Sequence, residues 1–228
     1  TDHGNVQAFP EAQGAAKKFG LKMLYGCEVY LIDDYFYGAK NPANIVLNDA
    51  IYVCFDFETT GLSIKYDRIT EFGAVKIKDG LVVDRLDILI NPEMHIPDKI
   101  AEKTKIDDEL VKNCRTIKEE LPRILKFLEG SIIVSHNIEF DYGMLNEACE
   151  REGFGTIGYP SIDTLALSRY LFPENAYHSL GALCRRYEVA YDSDSAHRAD
   201  YDAEVLANVW LSMRTNLTKN NPNLLHKD

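Results

Sequence analysis

From residue 51 onward, two hydrophobic rhythms alternate along the chain. The run Ile51-Tyr52-Val53-Cys54-Phe55 is continuously apolar, as a strand buried on both faces requires. Stretches 69–77 and 81–90 follow with strand patterning, and Asp79-Gly80 between them is a strong hairpin signal. The apolar spacing then shifts to the helical period over 98–111 and 117–128. Ser131-Ile132-Ile133-Val134-Ser135 predicts a fourth strand, with a helix over about 138–152 behind it. A fifth strand near 158–163 leads into helices near 164–171, 179–187 and 199–215. Three antiparallel strands followed by strands alternating with helices predict a mixed sheet flanked by helices, an α/β layer architecture.

Upstream the texture differs. Residues 1–34 predict a short unit: a turn at Asp2-His3-Gly4, a helix over 9–19 ending at Gly20, and a strand-like stretch over 21–32. About thirty residues cannot bury a core alone. Residues 35–50, with Gly38, Asn41-Pro42 and Asn48-Asp49, predict a linker. Residues 51–215 hold the main domain, and the Asn-rich 216–228 predict a frayed, flexible tail. A chain that opens on Thr1 rather than Met is expected to be a piece of a larger protein.

Composition narrows the classes. The apolar fraction of 46% suffices for a full core, and no apolar run approaches the ~18 residues of a membrane span. No signal peptide opens the chain. The five cysteines (Cys27, Cys54, Cys114, Cys149, Cys184) are widely spaced, without metal-ligand spacing, and predict reduced, buried thiols in a cytoplasmic protein. A net charge of −11 argues against a basic nucleic-acid-gripping surface. It leaves open an enzyme that handles phosphates through bound cations, because clustered carboxylates carry that charge themselves.

Three segments concentrate chemistry. In Phe55-Asp56-Phe57-Glu58-Thr59-Thr60-Gly61, two carboxylates one residue apart leave an apolar strand on the same side of the sheet. They are either a strand end reaching solvent or a cation-binding pair, since acids beside a buried strand need neutralising. In Ser135-His136-Asn137-Ile138-Glu139-Phe140-Asp141, Asp141 falls one turn into a helix at a strand's carboxyl end. Alone, such an acid is more often a helix-start residue favoured by the dipole. In His197-Arg198-Ala199-Asp200-Tyr201-Asp202, the histidine can lie just outside the helix with Asp202 facing inward one turn later. An imidazole titrating near neutrality can accept a proton from water. The alternative is a capped, solvated first turn. Together the three supply four carboxylates and a histidine, the requirement of a two-metal site.

In order, these segments resemble the three exonuclease motifs of the DEDDh family of 3′→5′ exonucleases, over roughly residues 51–212. The resemblance implies a ribonuclease H-like fold, with Asp56, Glu58, Asp141 and Asp202 holding two Mg²⁺ or Mn²⁺ ions and His197 as general base. It implies that Thr59 and Leu62 hold the 3′-terminal nucleotide, that Asn137 and Phe140 line its path, and that Asp163 supports the site. Leu62 and Phe140 also admit a core role, and Asp163 an N-cap role. His178, in Tyr177-His178-Ser179-Leu180-Gly181, resembles a family pattern too, with packing or capping as its other reading. The segments Thr1-Asp2-His3-Gly4 and Tyr25-Gly26-Cys27-Glu28-Val29-Tyr30 resemble the polymerase-and-histidinol-phosphatase (PHP) domain of PolC-type bacterial replicative polymerases. There Asp2, His3 and Glu28 match metal-ligand positions, but the rest of that framework is absent, so no active metal site is expected from them.

The implied function is removal of 3′-terminal nucleotides from DNA as 5′-mononucleotides, as the proofreading part of a replicative polymerase. Single-stranded or frayed 3′ ends are the expected substrate, and the rest of the polymerase chain and replisome the expected partners. Neither a membrane nor a nucleotide cofactor is expected. A ribonuclease of short RNA, a silent docking module and a phosphatase centred on Asp2, His3 and Glu28 are the rival readings.

Overall fold

The computed structural model describes residues 2–3, 7–28, 38–41, 47–192 and 195–220. Backbone proximity divides the chain into two units, Thr1–Tyr35 and Phe36–Asp228.

The first unit holds β1 (Asp2–His3), α1 (Phe9–Phe19) and β2 (Cys27–Glu28). Helix α1 takes Pro10 in its first turn, where no amide partner is needed, and stops at Gly20, whose φ of 65° sends its N–H back to the carbonyls of Ala16 and Lys17. Strands β1 and β2 pair in parallel, Asp2 opposite Cys27 and His3 opposite Glu28. Pairing thus occupies Cys27–Glu28 of the expected 21–32 stretch; residues 29–32 and the side chains of Asp2, His3 and Glu28 lie outside the described residues.

The second unit runs β3 (Ala39–Lys40), β4 (Tyr52–Thr59), β5 (Ile69–Lys78), β6 (Leu81–Leu89), α2 (Asp98–Thr104), α3 (Asp108–Val111), α4 (Ile117–Leu128), β7 (Ile132–Ser135), α5 (Ile138–Arg151), β8 (Ser161–Asp163), α6 (Thr164–Leu171), α7 (Leu180–Tyr187) and α8 (Ala199–Asn220). Six strands form one mixed sheet in the order β3-β8-β7-β4-β5-β6. Strand β4 is parallel to β7 and β7 to β8, while β5, β6 and β3 run antiparallel to their neighbours.

In the first unit, Asp2–His3, expected as a turn, pairs as a strand, and residues 21–26 of the expected 21–32 strand do not; in the second unit three features depart from the sequence reading. The 35–50 stretch, expected as a linker, contributes edge strand β3. Two paired residues are too few for periodicity to register; β3 is held by backbone bonds, the Asp163 N–H donating to the Gly38 carbonyl at 2.8 Å, and by the Asn41 amide, which reaches the Tyr142 hydroxyl and the Tyr159 carbonyl at 3.1 Å each. The expected helix over 98–111 is broken in two at Lys105, which is left-handed (φ 61°). That turn buries Ile106 against Ile96 and Val111, and Asp107 caps the new helix by accepting from the Leu110 N–H at 2.8 Å. Helix α8 continues to Asn220, five residues into the expected tail, because Leu217 still packs on the core; residues 221–228 lie outside the described residues.

The period of two in β4 separates two cores. Val53, Phe55 and Phe57 face α4 and α5, packing on Leu121, Ile124, Leu145 and Cys149. Tyr52 and Cys54 face the other way, onto α6, α7 and the Ala203, Leu206, Trp210 stripe of α8. Asp56 and Glu58 continue this second face at the strand's carboxyl end, where α8 begins. The free thiols of Cys54, Cys149 and Cys184 are buried as expected; Cys114 is half-exposed.

Candidate active site

The carboxyl ends of β4 and β7 and the starts of α5 and α8 enclose a cleft of about 480 Å³. Asp56, Glu58, Asp141, His197 and Asp202 all line it, and so do Thr59, Leu62, Asn137 and Phe140. Asp163 does not.

Each acid arrives by a local cause. Asp56 and Glu58 alternate with Phe57, whose ring is held in the α4/α5 core, so both carboxylates must face the cleft. Strand β4 pairs with β7 only as far as Cys54 opposite Val134. Beyond that point the Phe57 amide would lack a partner, and it donates to Asp141 Oδ1 at 3.3 Å. The Ser135 hydroxyl donates to Asp141 Oδ2 at 2.5 Å, so α5's buried acid is fixed to both strand ends. Asp202 sits in the first turn of α8 and accepts the His197 N–H on Oδ2 at 2.9 Å. Two non-glycine residues here are left-handed, Asn137 (φ 79°) and His197 (φ 67°), the kind of conformation that persists where surrounding bonds impose it. Glu58, His197 and Asp202 each present a ligand atom within 4.8 Å of the others.

Electrostatically the cleft is a place where negative charge is resisted. Burial, reinforced by the neighbouring carboxylates, holds Asp56 well above the usual range. Burial likewise raises Asp141, though the Ser135 and Phe57 bonds pull against it. Burial lifts Glu58 to about 8 and Asp202 to about 6. His197 is pushed down, first by partial burial of its ring and then by the Lys103 ammonium. Among the described residues, Asp56 and Glu58 accept no hydrogen bond and form no ion pair. Crowded, unpartnered carboxylates with an adjacent imidazole form an oxygen-rich donor set of the kind hard divalent cations occupy. The residues fit such ions.

The other expected residues resolve their alternatives. Leu62 is 85% exposed and therefore not a core residue; it projects at the cleft mouth. Phe140 packs on the α4/α5 core and also lines the cleft. Thr59 turns its hydroxyl to the Gly61 carbonyl at 2.6 Å. Asp163 sits behind the cleft, accepting from the Asn137 N–H at 3.0 Å and the Leu165 N–H at 2.9 Å: it is the N-cap of α6 and a brace for the Asn137 turn. His178 is engaged at both ring nitrogens, with Ser168 and the Asn175 carbonyl at 2.9 Å each, which is the packing role.

Several residues carry the site without having been singled out from sequence. Glu71, fully buried and opposite Glu58 on β5, accepts from Arg198 Nε at 3.0 Å, Arg198 Nη2 at 2.6 Å and the Ala199 N–H at 2.7 Å. This clamp ties the first turn of α8, with His197 and Asp202 on either side of it, to the sheet. A lone acid inside the apolar run of β5 was the signal available. Gly73, two residues on, lets the helix start approach: a Cβ there would lie 2.0 Å from the Ala199 carbonyl carbon. His136, Lys103, Arg185 and Tyr191 line the cleft as well. His136 is kept neutral, burial lowering it to about 4, with Nδ1 3.0 Å from the Thr164 hydroxyl.

A protein-family model described as exonuclease matches residues 53–210. The chain is 41% identical over 219 residues to a PolC-type DNA polymerase III of Halalkalibacterium halodurans, covering 96% of this chain and 15% of that protein. It is 43% identical over 207 residues to that of Lacticaseibacillus paracasei, covering 90% and 14%. The chain thus spans about 15% of the length of the curated relatives it matches. Among solved structures it resembles exonuclease X in complex with 5′ overhanging duplex DNA (TM-score 0.58, 24% identity, 72% of this chain and 91% of that one). It also resembles E. coli exonuclease I in complex with a dA16 oligonucleotide (TM-score 0.64, 17% identity, 77% and 42%). The sheet and its flanking helices have the ribonuclease H-like fold.

Proposed function

The chain belongs to the exonuclease family, and on that premise we propose that it hydrolyses the last phosphodiester bond at the 3′ end of DNA as the proofreading segment of a longer polymerase. The observation that carries the reading is the convergence of Asp56, Glu58, Asp141 and Asp202 on one cleft beside His197, with Asp56 and Glu58 left unpartnered. Those four carboxylates would hold two divalent cations, Mg²⁺ or Mn²⁺, which when bound stabilise charge on the attacking and leaving oxygens.

The protein's own residues perform the rest. His197, kept neutral by its surroundings and exposed at the cleft, accepts the proton of the attacking water. Water oxygen bonds to phosphorus, the bond to the 3′ oxygen of the penultimate nucleotide breaks, and that oxygen takes a proton from solvent. The products are a nucleoside 5′-monophosphate and a strand shorter by one. Thr59, Leu62, Asn137 and Phe140 hold the terminal nucleotide, Leu62 from the mouth and Phe140 from the wall. The recessed acids favour single-stranded or frayed ends, since a paired terminus cannot bring its last phosphate into the cleft.

The test is a 5′-labelled oligonucleotide with a mismatched 3′ end, incubated with Mg²⁺ or Mn²⁺ and with EDTA. The expected result is a ladder shortening from the 3′ end that EDTA and Asp56→Ala each abolish, while His197→Ala slows it at least ~10²-fold. DNA left intact by the folded protein, with RNA degraded or nothing degraded, would overturn it.

A further inference from the structure

The cleft's lining is acidic, yet two cations line it that close no ion pair with its carboxylates. Lys103, on the last turn of α2, and Arg185, on α7, both line the cleft and are exposed. Among the described residues neither forms a hydrogen bond or an ion pair. Four other basic side chains of this unit are engaged: Arg198 by Glu71, Arg85 by Glu204, Arg186 by Ser168, Lys40 by Glu139. Two long cationic side chains that line the same cleft as four carboxylates, without closing an ion pair, are free to meet an anionic ligand.

We propose that Lys103 and Arg185 are phosphate-binding residues of the cleft, Lys103 at the reacting end and Arg185 further along the bound strand. The inference rests on the DNA-exonuclease reading and deepens it. Lys103 is assigned the reacting end because it lines the cleft together with Glu58, His197 and Asp202, and its charge acts on all three. Its ammonium is a compact point charge on a flexible stem, suited to a phosphate whose geometry changes during reaction. Arg185 offers a planar fork for a phosphate that stays put. Beside it in the cleft lie Gly181 and Tyr191, the tyrosine ring 3.1 Å from where a Gly181 Cβ would stand, so the absence of a side chain there leaves the ring edge open to the strand. In a chain of net charge −11, two well-placed cations give local attraction without a generally basic surface.

The test uses the full chain and a fluorescein-labelled single-stranded DNA oligomer, with Ca²⁺ to fill the carboxylate site while slowing cleavage. Fluorescence anisotropy gives the binding constant between 50 and 200 mM salt for the wild type, Lys103→Ala, Arg185→Ala and Lys103→Arg. Each neutralised phosphate contributes about 0.7 to the slope of log K against log salt for a single strand. Lys103→Ala and Arg185→Ala should each flatten that slope by about 0.7, and Lys103→Arg should keep it. In the cleavage assay, Lys103→Ala should lower kcat, and Arg185→Ala should raise KM with kcat unchanged. Equal slopes for wild type and both alanine variants, all melting at the same temperature, would overturn the proposal. Flattened slopes with no cleavage by the wild type would leave the contacts standing and sink the exonuclease reading. Cleavage with unchanged slopes would do the reverse.

Discussion

Arg198→Met tests whether the start of α8 is clamped for catalysis or merely packed. The substitution keeps an apolar stem of similar reach and removes the guanidinium, leaving Glu71 fully buried with only the Ala199 N–H at 2.7 Å. Breaking a buried ion pair on one side costs about 3–5 kcal/mol. Arg198 is 34% exposed, so water reaches the vacated position and the low end, about 3 kcal/mol, applies. For a unit of this size each kcal/mol moves Tm by about 2–4 °C, so a drop of about 6–12 °C is expected. Replacing both partners by apolar residues, Glu71→Leu with Arg198→Met, should recover most of that stability. It should not recover kcat, because nothing polar then ties His197 and Asp202 to β5 opposite Glu58. Thermal melting followed by circular dichroism, with single-turnover cleavage of the same preparations, reads both quantities. An Arg198→Met variant melting within about 2 °C of wild type would refute the energetic reasoning, and a double variant with restored kcat would refute the positioning role.

Three further outcomes follow from the same geometry. Gly73→Ala drives a Cβ to 2.0 Å and 2.1 Å from the Ala199 carbonyl carbon and oxygen, backbone atoms that cannot rotate away; about 3 kcal/mol of destabilisation with loss of cleavage is expected, and wild-type melting would contradict it. In EDTA, the raised carboxylates bind protons more tightly folded than unfolded, so stability should fall as pH rises from about 4 through the folded values of about 6 for Asp202 and about 8 for Glu58, then level off. Mn²⁺ should reverse that loss, because it takes the deprotonated form, and melts across pH with and without the ion would show whether it does. Asp163→Ala removes a cap and the brace on Asn137, costing about 1–2 kcal/mol and raising KM more than it lowers kcat; unchanged kinetics would mean the Asn137 turn holds itself.

What could be read from sequence depended on whether a feature repeats or pairs locally. The strands β4 to β6, the helices α4, α5 and α6, and the five chemical residues lie where periodicity and strand-end logic put them. Strand β3 escaped because two residues carry no period, and the α2/α3 break escaped because Ile106 keeps the helical apolar spacing while its neighbour Lys105 turns left-handed. The site's supports escaped for a different reason. Glu71 finds Arg198 at a separation of 127 residues, and Lys103 comes to the cleft beside residues of β4 and α8 only in the folded chain. A pairing of that range leaves no mark on the order of residues. Asp163 is legible on both of its readings, as the N-cap of α6 and, through the Asn137 N–H, as a brace behind the cleft.

The clamp between Glu71 and Arg198 has a consequence for how the protein comes into being. The two partners leave the ribosome 127 residues apart, and Asp141 meets the Phe57 amide across 84. A nascent chain that has emerged only through α7 possesses the sheet, Asp56, Glu58 and Asp141, yet lacks the histidine and the fourth acid. Contacts of this sequence separation form slowly, because loop-closure entropy is lost before they stabilise the chain. On the reading proposed above, the cleft therefore stays incomplete until α8 has emerged and docked into the space that Gly73 leaves for it.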